Sequence, residues 1–489
     1  VNSAAATLNV ARRKPSRLAL KWKKLAPGFL PFADAASADL PLSRLMRLSL
    51  FQVSVGMAAA LMVGTLNRVM IVELGISAWL VALMVALPTL AAPFRALIGH
   101  KSDTYASAIG WRRVPYIGLG SFLQFAGLAL MPFALLLMTG EGRFGLAWVG
   151  QLAAGLSFLL VGAGLQTTQT AGLALATDLA SETARPRVVA LMYVMLLVGM
   201  VGGGAAFSLL LSDFTPTRLV GVVQGAGIAT VAFNLVAVWK QEARDPGRRY
   251  SVDEPAAAFK PRWASFTAQP KARRFMWAVG LGTAAFNMQD VVLEPYGGEI
   301  LHLGVGATSA LTAVMAAGAL AAFGLAARWL ARGGDAYRVA AVGALMGLPA
   351  FAAVIFSAPL DAPWLFRCGT ALIGFGGGLF AVGTLTAAMS LERAEHVGLA
   401  LGAWGAVQAF AGGLAVAAGG AVRDGVSALA THGALGVALQ DPVTGYSFVY
   451  HIEIALVFAA LIAIGPLVRT SSPAAQAAGP KFGLAEFPG

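Results

Sequence analysis

The sequence predicts an all-α integral membrane protein of twelve transmembrane helices, folded as two six-helix halves. Three observations lead there. Hydrophobic residues fill 58% of 489 positions and charged residues only 12%, with a mean hydropathy of +0.73; soluble domains carry about 25% charged residues. The charges are grouped in short segments between apolar runs of about 20 residues, the length at which a helix spans a bilayer. The longest of those polar segments, 240–274, leaves six runs on either side. A membrane β-barrel would instead show short alternating strands, and the sequence has none of that pattern.

The expected spans, in order, are 48–71, 77–98, 114–138, 145–170, 187–211, 218–239, 275–295, 304–331, 337–357, 364–389, 397–422 and 447–468. They divide the chain into a basic N-terminal segment (1–47), a first half (48–239), an inter-half loop (240–274), a second half (275–468) and a tail (469–489). With both termini cytoplasmic, the inside segments hold 29 of the 35 Lys and Arg, which sets the orientation by the positive-inside rule. The same placement explains the formal net charge of +12 without nucleic acid. The run "ARRKPSRLALKWKK" (11–24) suits an anionic membrane surface, where each basic residue contributes about 1 kcal/mol. No cleavable signal peptide is evident, because the N-terminus is polar and basic. The lone Cys368 permits no internal disulfide and no cysteine metal site.

The halves echo each other. "LGISA" (74–78) enters span two as "LGVGA" (303–307) enters span eight, and "ETARPRVVAL" (182–191) opens span five much as "RAEHVGLAL" (393–401) opens span eleven. Paired six-span repeats are the signature of the major facilitator superfamily fold, with its site between the halves. The loop "GHKSDTYASAIGWRRV" (99–114) resembles that superfamily's cytoplasmic motif. Gly99, Asp103, Gly110, Arg112 and Arg113 fit it, although the stretch from Asp103 to Gly110 is longer than usual. Asp103 is expected to meet Arg185 or Arg187 and latch the cytoplasmic side. The span-four arginine and span-five Gly-Pro pair of drug antiporters are absent; Gln151 and "GMVGGG" (199–204) stand there.

Span seven ends in "NMQDVVLEPYGGEIL" (287–301), and its acids are costly in a bilayer. Asn287, Asp290 and Glu294 are spaced i, i+3, i+7 and are expected on one helical face, with Gln289 in the same run. Pro295, Gly297 and Gly298 are expected to end or break the helix. Asn67 and Arg68 occupy the outer end of span one, the symmetry mate. Pairing of Arg68 with Asp290 or Glu294 would let the acids face the cleft between the halves, as a gate or a static bridge.

Longer stretches carry a more specific likeness. "NRVMIVELG" (67–75), "ALIGHKSD" (96–103), "GWRRVPYIGLGSFLQFAGLALMPFAL" (110–135) and "FNMQDVVLEPYGGEIL" (286–301) are similar to the PucC/LhaA family of the major facilitator superfamily. The resemblance covers about residues 28–470. It implies assembly of light-harvesting antenna complexes in the intracytoplasmic membrane of a purple photosynthetic bacterium. Bacteriochlorophyll is the implied cargo, with antenna polypeptides and membrane lipid as partners. An imidazole could ligate the pigment magnesium, and His302 and His451 are the candidates on the outer side; His100, His396 and His432 lie in loops.

Two other readings stay open at this point. The fold alone suits a secondary transporter of a small solute. An enzyme of pigment synthesis is the weakest reading, because the sequence carries no nucleotide loop, Asp-rich diphosphate motif or metal cluster.

Overall fold

The computed structural model describes residues 40–90, 111–138, 147–181, 184–243, 266–391 and 397–468, and every regular element among them is helical. In the first half, α1 runs Leu42–Glu73, followed by α2 (Ala78–Leu90), α3 (Val114–Met138), α4 (Ala147–Leu179), α5 (Arg185–Leu210) and α6 (Pro216–Val238). In the second, α7a (Pro270–Asn287) and α7b (Leu293–Glu299) flank a 3-10 turn at Met288–Val291; then come α8 (Val305–Ala331), α9 (Ala336–Ser357), α10 (Pro363–Leu391), α11 (Val397–Thr431) and α12 (Val443–Ile464). Ten of the described helices are long and apolar enough to cross a membrane. The other two predicted spans correspond to the shorter apolar α2 and the interrupted α7.

Local chemistry sets several of these boundaries. Proline occupies the first turn of α5, α6 and α7a, where its missing N–H has no partner to lose. Thr215 caps α6 by accepting from the Arg218 N–H at 3.1 Å, and Asp335 caps α9 by accepting from Tyr337 N–H at 2.9 Å. Pro88, Pro132 and Pro349 sit inside α2, α3 and α9, a tolerance typical of membrane helices. Three predicted ends are corrected. α1 begins at Leu42 rather than 48, α4 continues to Leu179 rather than 170, and α11 continues to Thr431 rather than 422, which places Arg423 inside a helix.

The halves meet where α2 packs along α11 and α5 along α8. Small residues permit that approach: a Cβ on Gly420 would stand 2.5 Å from the Ala78 carbonyl oxygen. Hydrogen bonds also cross the seam toward the side that the Lys/Arg bias assigns to the outside, called the outer side below. Thr65 and Ser309 hydroxyls lie 2.9 Å apart, and Trp79 N–H donates to Asp424 at 2.8 Å. Exposed Trp79, Trp148 and Trp364 ring the outer helix ends, and exposed Trp239 and Trp277 lie toward the other side, as indoles do at the two faces of a bilayer.

α1 is the most enclosed span. It widens to π-helical winding over Leu61–Leu66 and Val69–Glu73, a geometry found mostly at functional sites. That segment lies against the interrupted α7, so the two irregular helices face one another across the boundary between halves.

Candidate functional site

The break in α7 has a local cause. Pro295 cannot donate a backbone hydrogen bond, and its ring crowds the carbonyl four residues earlier, at Val291. The helix therefore yields at 288–292, and Pro295, Gly297 and Gly298 lie within α7b. This corrects the expectation of a break at Pro295–Gly298. It also divides the predicted common face: Asn287 ends α7a, Asp290 lies in the 3-10 turn, and Glu294 begins α7b.

The break gathers polar groups from four helices. Glu294 is 2% exposed, and its Oε1 accepts from the Thr312 hydroxyl of α8 at 2.8 Å. Gly64 of α1 makes room there, since a Cβ on it would lie 3.3 Å from Glu294 Oε1 and 2.2 Å from Thr312 Oγ1. Asp290 is partly buried and accepts from the Gln289 side-chain amide at 2.7 Å. Its backbone carbonyl accepts from Asn67 Nδ2 of α1 at 3.2 Å, so Asn67 binds the turn across the half boundary. Asn287 donates to the Thr283 carbonyl on its own helix at 2.7 Å. Glu453 of α12, fully buried, lies by the Gln289 backbone and within electrostatic reach of Asp290.

Arg68 does not pair with Asp290 or Glu294. Its partner is Glu73, on the following π-helical turn of α1, and it also donates to the Leu303 carbonyl at 3.3 Å. It lies beside Gly298 at the far end of α7b, beyond the acids it was expected to meet. Among the described residues, no Lys, Arg or His stands within ion-pair distance of Asp290, Glu294 or Glu453.

The third acid of the run behaves differently. Glu299 pairs with Arg423 of α11 and accepts from Tyr446 of α12 at 2.8 Å. Arg423 also donates to Asp424 at 2.8 Å and stacks 4.6 Å above the Tyr446 ring. Tyr296, with no exposed surface, lies one layer deeper. It stacks on Phe366 at 5.3 Å, meets Tyr446 and Tyr450 edge-on, and donates to the Val354 carbonyl at 3.1 Å. Sequence reasoning missed Arg423, Tyr446 and Glu453 as members of this region. Their signal was present, because an ionisable residue inside an apolar run marks function by default.

The candidate histidines occupy different surroundings. His302 is exposed in the α7–α8 turn with a left-handed φ of 52°. His451 is exposed on α12, and its Nδ1 is 2.7 Å from the Ser447 carbonyl. That bond assigns the Nδ1 proton and leaves Nε2 as an acceptor. His432 follows α11, and His100 and His396 lie outside the described residues.

At the opposite end of the bundle, Arg112 and Arg113 both pair with Asp178 of α4. The Glu242 carboxylate accepts from the backbone N–H groups of Arg112, Arg113 and Val114, between 2.7 and 3.1 Å, as an anion at a helix N-terminus should. Arg185 donates to the Thr177 carbonyl at 3.3 Å, and Arg187 is partly buried. Gly99, Asp103 and Gly110 fall outside the described residues. Among the described residues no group of His, Cys, Asp and Glu could hold a metal ion.

Known proteins resemble this chain both in sequence and in fold. A family model described as PUCC protein matches residues 65–472. An uncharacterized protein in the puhA-bchM intergenic region of Rhodobacter capsulatus is 51% identical over 482 residues, 98% of this chain and 99% of that one. Protein PucC of Rhodovulum sulfidophilum is 55% identical over 406 residues, 82% of this chain and 89% of that one. A more distant relative, the bacteriochlorophyll synthase 44.5 kDa chain of Rhodobacter capsulatus, is 28% identical over 395 residues, covering 78% and 87%. Among solved structures, the nucleoside transporter NupG superposes with a TM-score of 0.61 at 14% identity, over 86% of this chain and 99% of that one. That likeness concerns fold alone, and the fold is that of major facilitator transporters.

Proposed function

The chain belongs to the PUCC protein family, and from that premise we propose that it assists assembly of bacteriochlorophyll-containing light-harvesting antenna complexes in a purple photosynthetic bacterium. It acts by contact in the intracytoplasmic membrane, with both termini cytoplasmic, handing pigment to antenna polypeptides. The observation that carries this reading is the exposed face of α12. Phe448, His451, Ala455, Phe458 and Ile462 are all exposed and follow one another at helical spacing, so they form one stripe. The face opposite them packs on α7a, α9 and α11.

A histidine with its Nδ1 proton engaged presents Nε2 as a metal ligand. Small Ala455, one turn along, leaves space beside the imidazole for a flat macrocycle, and the two phenylalanines offer rings for it to lie against. The pigment's isoprenoid tail needs no aqueous channel, since each buried methylene contributes about 0.8 kcal/mol to its place in hydrocarbon. His451 is therefore the preferred ligand and His302 the lesser one, because His302 sits in a tight turn with a left-handed φ rather than on an exposed helical stripe. Membrane lipid fills the stripe in the absence of cargo, and the basic segment 11–24 holds the N-terminus at the anionic surface.

A second reading, transport of a small solute, draws on the buried acids at the α7 break and the transporter fold. Catalysis draws on no constellation in the described residues. One experiment separates the first two. The protein is purified in mild detergent from pigmented cells beside a control membrane protein of similar size. Bacteriochlorophyll or antenna polypeptide retained by this protein alone supports the assembly reading, and His451→Ala should then lose pigment at unchanged protein yield. A colourless, solitary protein that supports solute counterflow in liposomes decides for transport.

A further inference from the structure

We propose that the α7 break is a proton-binding site in which Glu453 of α12, near Asp290 of the turn, carries the proton. Glu453 is fully buried, and neither carboxylate oxygen has a well-formed hydrogen-bond partner. Gln289 Oε1 and Asn67 Oδ1 are buried acceptors likewise left without a donor. Both side chains already reach the turn, Gln289 through its amide on the Asp290 carboxylate and Asn67 through its amide on the Asp290 carbonyl. The site thus has acceptors in excess.

A bare carboxylate sealed from water is prohibitively costly without a compensating charge. The charged and titratable groups facing it from each packed element supply no such charge. The α7 break contributes Asp290, with Glu294 and Tyr296 beyond it on α7b, and α12 itself contributes Tyr446 and Tyr450. From α1, Arg68 is occupied by Glu73, and from α11, Arg423 is occupied by Glu299 and Asp424. α8 contributes the neutral Thr312, and α9 the neutral Ser357. A single proton relieves the imbalance at its most buried point. It neutralises Glu453 and creates one O–H donor for an orphaned acceptor. Among the described residues no group of three or more His, Cys, Asp and Glu could hold a metal ion, and the sodium exchange below tests a monovalent cation at the same oxygens.

Because the same turn is tied to Asn67 across the half boundary, losing the proton would put a charge beside the turn and loosen the outer seam. This inference stands apart from the pigment reading and fails independently of it.

The test uses the full chain in liposomes with Cys368→Ala and spin labels at Thr217→Cys and Leu360→Cys, exposed positions on opposite halves. Infrared spectra at neutral pH should show a carboxylic-acid carbonyl band that Glu453→Gln removes. Exchange of sodium for choline should leave the band unchanged. Raising the pH should lengthen the 217–360 distance in the parent but not in Glu453→Gln. If Glu453→Gln cannot be recovered folded, Asp290→Asn should shift the frequency of the parent's band, since it removes the neighbouring charge. A band untouched by both substitutions, or one abolished by sodium, overturns the proton site. A parent distance that ignores pH overturns its coupling to the seam.

Discussion

The two halves share an architecture but treat buried polarity in opposite ways. In the first half, neutral groups pin the helices together. Asn234 of α6 accepts from Ser54 of α1 at 2.7 Å and donates to Ser121 of α3 at 2.8 Å, and Gln124 of α3 donates to Thr168 of α4 at 2.8 Å. Of its charges at helix ends, Arg112 and Arg113 pair with Asp178, and Arg44 donates to the neutral Gln241 side chain. In the second half, Asp290, Glu294 and Glu453 lie inside the bundle without a cation. Polar groups that pin helices stabilise a scaffold, whereas uncompensated acids persist at a cost in stability. The contrast is between neutral pins in the first half and buried acids without a cation, among the described residues, at the α7 break.

Stability measurements can break that contrast. Asn234→Ala removes the bonds to Ser54 and Ser121, whose hydroxyls keep only their own-helix bonds to the Phe51 and Ile117 carbonyls. Each lost bond is worth about 0.5–1.5 kcal/mol, and the truncated side chain adds a cavity in the core. This substitution should give the largest fall in the unfolding temperature of the purified protein. Glu242→Ala removes the carboxylate cap at the start of α3 and should cost about 0.5–2 kcal/mol, read from the same melt. Arg218→Ala breaks only an exposed pair with Asp213 and should stay within about 1 kcal/mol. Glu294→Gln should have the smallest effect, or a stabilising one, because its amide oxygen can still accept from Thr312 and no charge stays buried. A loss for Glu294→Gln as large as that for Asn234→Ala would place the acid among the structural pins and end the contrast.

How much was legible beforehand follows the same physics. Apolar runs of bilayer length identify helices almost by themselves, so the two-half helical order was readable from spacing and charge. The seventh helix shows the limit. Pro295 signals a break, but its ring acts on the carbonyl one turn upstream, so the irregular backbone falls at 288–292. Arg68 shows another. An α-helix between Arg68 and Glu73 would not place those residues together, since facing positions are three or four apart. The π-helical winding of 69–73 brings them into contact. Arg423 with Glu299 joins α11 to α7b over 124 positions, and only the packing of the bundle establishes such a pair. Asn67, Gln289, Asp290 and Glu294 do gather at one place, but what charges surround them depends on α12, whose Glu453 reads in sequence as a neighbour of His451.

The most direct measurement is antenna absorbance in a deletion strain complemented with His451→Ala, at membrane levels matched to the parent chain. On the proposed function the pigment rests on the exposed α12 stripe at His451. Most antenna absorbance should therefore be lost while the protein remains folded and abundant, with Arg218→Ala as an unaffected control. Absorbance equal to the parent's, at equal protein level, would contradict that reading.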